Sequence, residues 1–373
     1  MTFKYIDQQQ QLSELCNQLK SSQWLALDTE FIREKTYYAQ LCLVQIATEQ
    51  TIVCIDALAI KDLGPLYECL LDRNITKVLH AARQDLEIFH DHTQDVPTPV
   101  FDTQIGANLI GLGAQISYGA VVKSLLGTEL DKSHARSDWS KRPLSDTLLK
   151  YAADDVRYLA KIYPLILNRM AELDREGWIE QEMAALCDPK TYIIELDSVW
   201  QRIKGANRLK RADLAVLRQL AIWREIRAQK SNKPRKWILS DGVLLELADK
   251  KPANHSQLED IYKLPATVIK NSGDALIQAI NQGSTENEDL WPQPKANLRP
   301  TNQQGLILDQ AQSLVQQCAT RMNISAAMIA TRSELNRFIQ GERDLQLFSG
   351  WRLDHVGKDI LELQSNDNND PQL

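Results

Sequence analysis

The apolar residues of this 373-residue chain change their repeat near residue 144, and that change constrains the fold more than any other feature. Before it, short runs rich in β-formers alternate with helical pieces. Trp24-Leu-Ala-Leu-Asp-Thr-Glu-Phe31, Leu41-Cys-Leu-Val-Gln-Ile-Ala47 and Thr51-Ile-Val-Cys-Ile-Asp56 lie a turn's length apart and predict a three-strand antiparallel meander. Helical spacing follows at Leu63 to Leu71, then a strand at Lys77 to His80, a helix at Gln84 to His90, a strand at Val100 to Asp102 and a helix at Ile105 to Leu109. This portion reads as a mixed α/β sheet domain. After residue 144 strand signals largely vanish, and Leu148, Leu149, Ala152, Val156, Leu159 and Ile162 repeat at helical spacing, with a bend or an end expected near Pro164. Cys187 to Asn207 is poorly patterned. Leu214, Leu217, Leu220, Ile222 and Ile226 then open a helical domain that reaches Ile280. A polar linker rich in proline leads to a second helical unit from Gly305 to about Leu363, and the tail after it is expected to be disordered.

The chemistry sits in the first half. On a strand, residues i and i+2 share a face, so Asp28 and Glu30 project together while Leu27 and Thr29 face the other way. Two adjacent anions need a compensating charge, and hard oxygen ligands suit Mg2+ or Mn2+. A lone pair of this kind is more often a solvated strand edge, so spacing by itself decides little. Asp85 follows the strand at Lys77 to His80 by a few residues, where it also fits the first turn of a helix as a partner of the macrodipole. On the later helix, Tyr151 and Asp155 are four apart and share one face, with Asp154 also within reach. Four carboxylates suffice for two cations about 4 Å apart, which activate a water and stabilise a leaving 3′-oxygen of a phosphodiester. A tyrosine with its pKa near about 10 then needs only to position that water.

Taken together and in this order, Asp28-Thr-Glu30, His80-Ala-Ala-Arg-Gln-Asp85 and Tyr151-Ala-Ala-Asp-Asp155 resemble the three motifs of the DEDD superfamily of 3′→5′ exonucleases, in its tyrosine branch. Ser137-Asp-Trp-Ser-Lys-Arg-Pro-Leu144 adds a likeness to the ribonuclease D family. The resemblance implies a ribonuclease H-like fold over 1–190, with Asp28, Glu30, Asp85 and Asp155 as ligands of two divalent cations and Tyr151 beside them. It selects Asp155 over Asp154. It also implies an HRDC domain over 208–285, a diverged second copy over 303–365 and a tail at 366–373. The implied substrate is RNA with a free 3′ end, tRNA precursors among them, degraded to 5′-mononucleotides. A proofreading-type DNA exonuclease shares this chemistry, but no polymerase-like region accompanies it. An inert RNA-binding scaffold predicts a lost carboxylate, and all four are present.

A net charge of −6 argues against a nucleic-acid partner until its distribution is seen. Between Trp200 and Ser240 twelve Lys or Arg residues face two acids, interleaved with Trp200, Trp223 and Trp237. From this cluster Arg224, Arg227, Lys233, Arg235 and Lys236 are candidate RNA contacts. Arg136, Trp139, Lys141 and Arg142, just before the catalytic helix, are candidates to grip the scissile strand, though they also suit shaping the loop. His80, His90 and His92 lack cysteine partners and read as structural. Six cysteines without a CxxC spacing exclude a zinc ribbon or a disulfide framework. Neither a secretory signal nor a membrane-length apolar stretch is apparent, so the expected setting is the cytoplasm, with no membrane and no obligate protein partner indicated.

Overall fold

The structure is a computed structural model that describes residues 2–131, 134, 137–293 and 300–367, with the side chains of 364–367 excepted. Of the proposed contacts, Arg136 lies outside the described residues, as does nearly all of the expected tail. The chain forms two compact units, one of Met1–Ile32, Leu41–Tyr192 and Arg299–Leu373, the other of Arg33–Gln40 and Ile193–Leu298.

The first unit is built on a six-stranded sheet of β1 (Lys4–Ile6), β2 (Trp24–Ile32), β3 (Gln40–Ala47), β4 (Ile52–Asp56), β5 (Thr76–Leu79) and β6 (Val100–Asp102), in the order β1-β4-β3-β2-β5-β6. The expected meander is its β2-β3-β4 centre, with β3 and β4 antiparallel, while β5 runs parallel to β2 and β6 to β5. The sheet is therefore mixed. Helices α1 (Gln9–Leu19), α2 (Gly64–Leu71), α3 (Arg83–Thr93), α4 (Thr103–Leu109), α5 (Tyr118–Leu126), α6 (Asp146–Glu172) and α7 (Glu176–Cys187) surround it. The short strand β1 and helix α1 had not been anticipated, although Leu12, Leu15, Cys16 and Leu19 are buried at helical spacing.

Helix α6 positions the site. Ser145 caps it, accepting a hydrogen bond from the Leu148 N–H, and it packs across β2, β4 and β5. It does not end at Pro164, which lies inside it. One missing N–H is a small loss beside the burial of Ile162, Tyr163, Ile166 and Met170 on both sides of the proline.

The remaining helices of this unit follow the second unit in the chain. That second unit contains α8 (Arg211–Ser231), α9 (Arg235–Ile238), α10 (Asp241–Lys250), α11 (His255–Glu259) and α12 (Ala266–Ser284). Its core joins Trp200, Leu217, Leu220, Leu244, Leu258 and Leu276, and the poorly patterned stretch before it is made of short 3₁₀ turns. Helices α13 (Asn302–Met322), α14 (Ala326–Ile329), α15 (Arg332–Ile339), α16 (Gly350–Arg352) and α17 (Lys358–Asp367) have an apolar core of their own, yet they belong to the same compact unit as the sheet. The attachment is specific: Trp178 of α7 stacks on Trp351 at 4.4 Å, Arg352 pairs with Glu182 at 2.6 Å, and Arg175 donates to the carbonyls of Leu109 and Met322. No helix among the described residues is long and apolar enough to cross a membrane.

Candidate active site

The alternation of β2 does what its period requires. Thr29 is buried, while Asp28 and Glu30 emerge partly exposed on the other face. Asp155 reaches them from α6, and one oxygen from each of the three carboxylates lies within 4.8 Å of the others. They line an open cleft of about 250 Å3 with His80, Tyr118 and Tyr151. Asp85, in the first turn of α3, is more deeply buried and is not part of that three-carboxylate group. Its carboxylate accepts a hydrogen bond from the hydroxyl of Thr29, the buried residue between Asp28 and Glu30.

No Lys or Arg is among the described residues lining the cleft, and the electrostatics follow. Burial, then the Asp155 and Asp85 charges, pushes Glu30 up to about 9. Burial and the neighbouring Asp154 charge raise Asp155 to about 7. Asp28 is raised well above the usual carboxylate range by burial and by all three of its acidic neighbours. Asp85 rises to about 6 through burial, moderated by the Thr29 hydroxyl. Convergent, mutually repelling hard-oxygen donors with no protein cation among them fit divalent metal ions.

Tyr151 forms the wall between this cleft and a second recess of about 200 Å3 lined by Asp131, His134, Thr147, Lys150 and Asp154. Burial and the surrounding carboxylates raise its hydroxyl, which stays protonated. Asp154 turns away to pair with Arg157 at 2.7 Å. His80 hydrogen-bonds Thr103 at 3.0 Å and the Ile116 carbonyl at 3.1 Å, so it is held structurally while facing the cleft. Tyr118 was missed by the sequence reading. Its hydroxyl donates to the Asp155 carbonyl and its ring faces His80, but it lies outside the motifs and nothing in its spacing marks it.

The candidate RNA contacts divide. Trp139 is 2% exposed and packs beside Tyr151, which removes it from the surface. Arg142 is bound to Asp56 through Nε at 2.6 Å and Nη2 at 2.7 Å, and to three carbonyls. Arg224 is buried and pairs with Asp241 at 2.7 Å. Arg235 grips buried Glu225 at 2.5 and 2.7 Å and lies over the Tyr37 ring. These four are structural cations or core aromatics, because each is held by partners inside its own unit. Lys141, Arg227, Lys233 and Lys236 are exposed, as is Trp237 at 61%.

A family model described as a 3′–5′ exonuclease matches residues 3–171, and an HRDC domain model matches residues 213–280. A ribonuclease D from Jannaschia sp. (strain CCS1) is 38% identical over 359 residues, covering 95% of this chain and 93% of the relative. A ribonuclease D from Zymomonas mobilis subsp. mobilis is 38% identical over 358 residues, covering 94% and 91%. The crystal structure of Escherichia coli RNase D, described as an exoribonuclease involved in structured RNA processing, superposes with a TM-score of 0.87 at 29% identity over 98% of this chain and 99% of that one.

Proposed function

This chain belongs to the ribonuclease D family, and on the premise that it is a metal-dependent 3′→5′ exoribonuclease we propose that Asp28, Glu30, Asp85 and Asp155 hold two divalent cations, Mg2+ or Mn2+, beside Tyr151. The observation that carries this reading is the meeting of Asp28, Glu30 and Asp155 oxygens within 4.8 Å on two elements distant in sequence. When bound, such ions supply charge that acidifies a water and offsets charge on the leaving 3′-oxygen.

The protein's own groups do the rest. Asp28 and Glu30 present ligands from one strand and Asp155 from the facing helix, while Asp85 is held by the Thr29 hydroxyl. Tyr151 orients the attacking water or a phosphate oxygen by hydrogen bonding. The substrate is RNA entered from a free 3′ end and shortened to 5′-mononucleotides. Structured RNAs such as tRNA precursors are the proposed cellular class, in line with the description of the Escherichia coli relative. Lys141, Arg227, Lys233 and Lys236 are the proposed phosphate contacts, because their charges are exposed. The proposed domains are an exonuclease domain at 1–190, an HRDC domain at 208–285 and a second, diverged HRDC-like domain at 303–365.

The test is release of 5′-monophosphates from a 3′-labelled RNA with Mg2+ or Mn2+, comparing wild type with Asp28→Asn and Asp155→Asn. Loss in both variants and in chelator is expected. Release that survives chelator and both substitutions would overturn the assignment.

A further inference from the structure

The segment Ser137-Asp-Trp-Ser-Lys-Arg-Pro-Leu144 is built into the protein around a single tyrosine. Asp138 closes its turn, accepting from the Ser140 N–H at 3.1 Å and its hydroxyl at 2.6 Å. Arg142 then ties the segment to the sheet, pairing with Asp56 at the end of β4 and donating to the Cys42 carbonyl of β3 at 2.8 Å. The same guanidinium donates to the Trp139 carbonyl at 2.7 Å, so the backbone carrying this indole is fixed from the sheet side.

The indole meets Tyr151. Its ring lies 6.3 Å from the tyrosine ring at 34°, and it is buried, with an indole N–H that has no protein partner. His134 meets the tyrosine edge-on at 5.8 Å. Among the described residues the Tyr151 hydroxyl has no hydrogen-bond partner and the ring is met by packing, and of the two described aromatic neighbours Trp139 is the buried one.

We propose that Trp139 is a positioning residue for Tyr151, a buried plate that fixes the tyrosine ring at the carboxylate cleft and is itself anchored by the Arg142–Asp56 pair. The inference rests on the proposed role of Tyr151. It gives the segment a function that explains why its aromatic and its arginine face inward: a misplacement of about 1 Å at a reacting centre costs about 100-fold in rate.

The experiment is steady-state kinetics of mononucleotide release with Mn2+ on the full chain, for wild type, Tyr151→Phe, Trp139→Phe, Trp139→Leu and the Trp139→Leu/Tyr151→Phe double variant. Trp139→Leu is expected to lower kcat about 10- to 100-fold with KM within about twofold, and Trp139→Phe to stay within about threefold of wild type. The double variant is expected to be no slower than Tyr151→Phe, because an absent hydroxyl cannot be misplaced. A raised KM with unchanged kcat would make Trp139 an RNA contact and overturn the proposal, as would losses that multiply in the double variant. Unchanged kcat in Tyr151→Phe would instead remove the role of Tyr151, a separate failure. If Trp139→Leu does not fold by circular dichroism, Arg142→Lys decides. It loosens the anchor without removing the plate, and a several-fold drop in kcat that vanishes in the Tyr151→Phe background supports the proposal, whereas a drop that persists there overturns it.

Discussion

The exonuclease unit contains two sets of recessed carboxylates that are treated in opposite ways. Asp56 accepts hydrogen bonds from Arg142, from the Tyr5 hydroxyl and from the backbone N–H groups of Leu58 and Ala59. Burial alone would raise its pKa, yet these partners hold it below the usual carboxylate range. Asp28, Glu30 and Asp155 have no such cation among the described residues, and burial together with their acidic neighbours drives all three upward. The first set is completed by the fold and serves stability. The second is completed only by something from outside, and its cost to the metal-free fold is the counterpart of its affinity for cations.

The comparison breaks most visibly in activity. Asp28→Asn or Asp155→Asn is expected to lower kcat by about 10³-fold or more, while raising the metal-free melting temperature by about 2–4 °C through relief of repulsion. Kinetics and calorimetry in chelator read the two effects, and a falling melting temperature would mean that these acids are satisfied after all. On the other side, Arg142→Ala strands Asp56. The loss is expected to be about 2–3 kcal/mol by denaturant unfolding, less than the full cost of breaking a buried pair because the Arg142 side chain is 25% exposed.

Titration sharpens the contrast. The cleft acids bind protons more tightly folded than unfolded, so their contribution to stability worsens as pH rises from about 4, through about 7 for Asp155, to about 9 for Glu30. Asp56 has the opposite sign, stabilising above its unfolded pKa and losing that contribution as pH falls through its depressed folded value. Melting curves across this range in chelator should show a decline toward alkaline pH that Mn2+ flattens. A profile indifferent to Mn2+ would disconnect the cleft from metal. The smallest effect concerns the basic cluster, where the same division separates Arg235, locked on Glu225, from exposed Lys236. Lys236→Glu is expected to raise KM for RNA about three- to tenfold and to lower the salt dependence by about one counterion, leaving kcat unchanged.

How much of this was legible follows from the kind of information each feature carries. Asp28 with Glu30, and Tyr151 with Asp155, are local, because a strand repeats every two residues and a helix brings positions four apart together. The β2-β3-β4 meander was legible for the same reason. Residue type alone was misleading for Trp139, Arg142, Arg224 and Arg235, which in sequence look like any exposed aromatic or cation. The acceptors of the three arginines, Asp56, Asp241 and Glu225, come from other elements.

The sequence by itself determined the order of the α/β and helical portions, the Asp28–Glu30 and Tyr151–Asp155 pairs and the family. Tertiary structure alone decided that Asp154 pairs with Arg157, that α6 runs through Pro164, and that helices 302–367 share a unit with the sheet. The physical reason is range: periodicity sets which face a side chain takes, but a charge's fate depends on what the fold brings within a few ångströms of it.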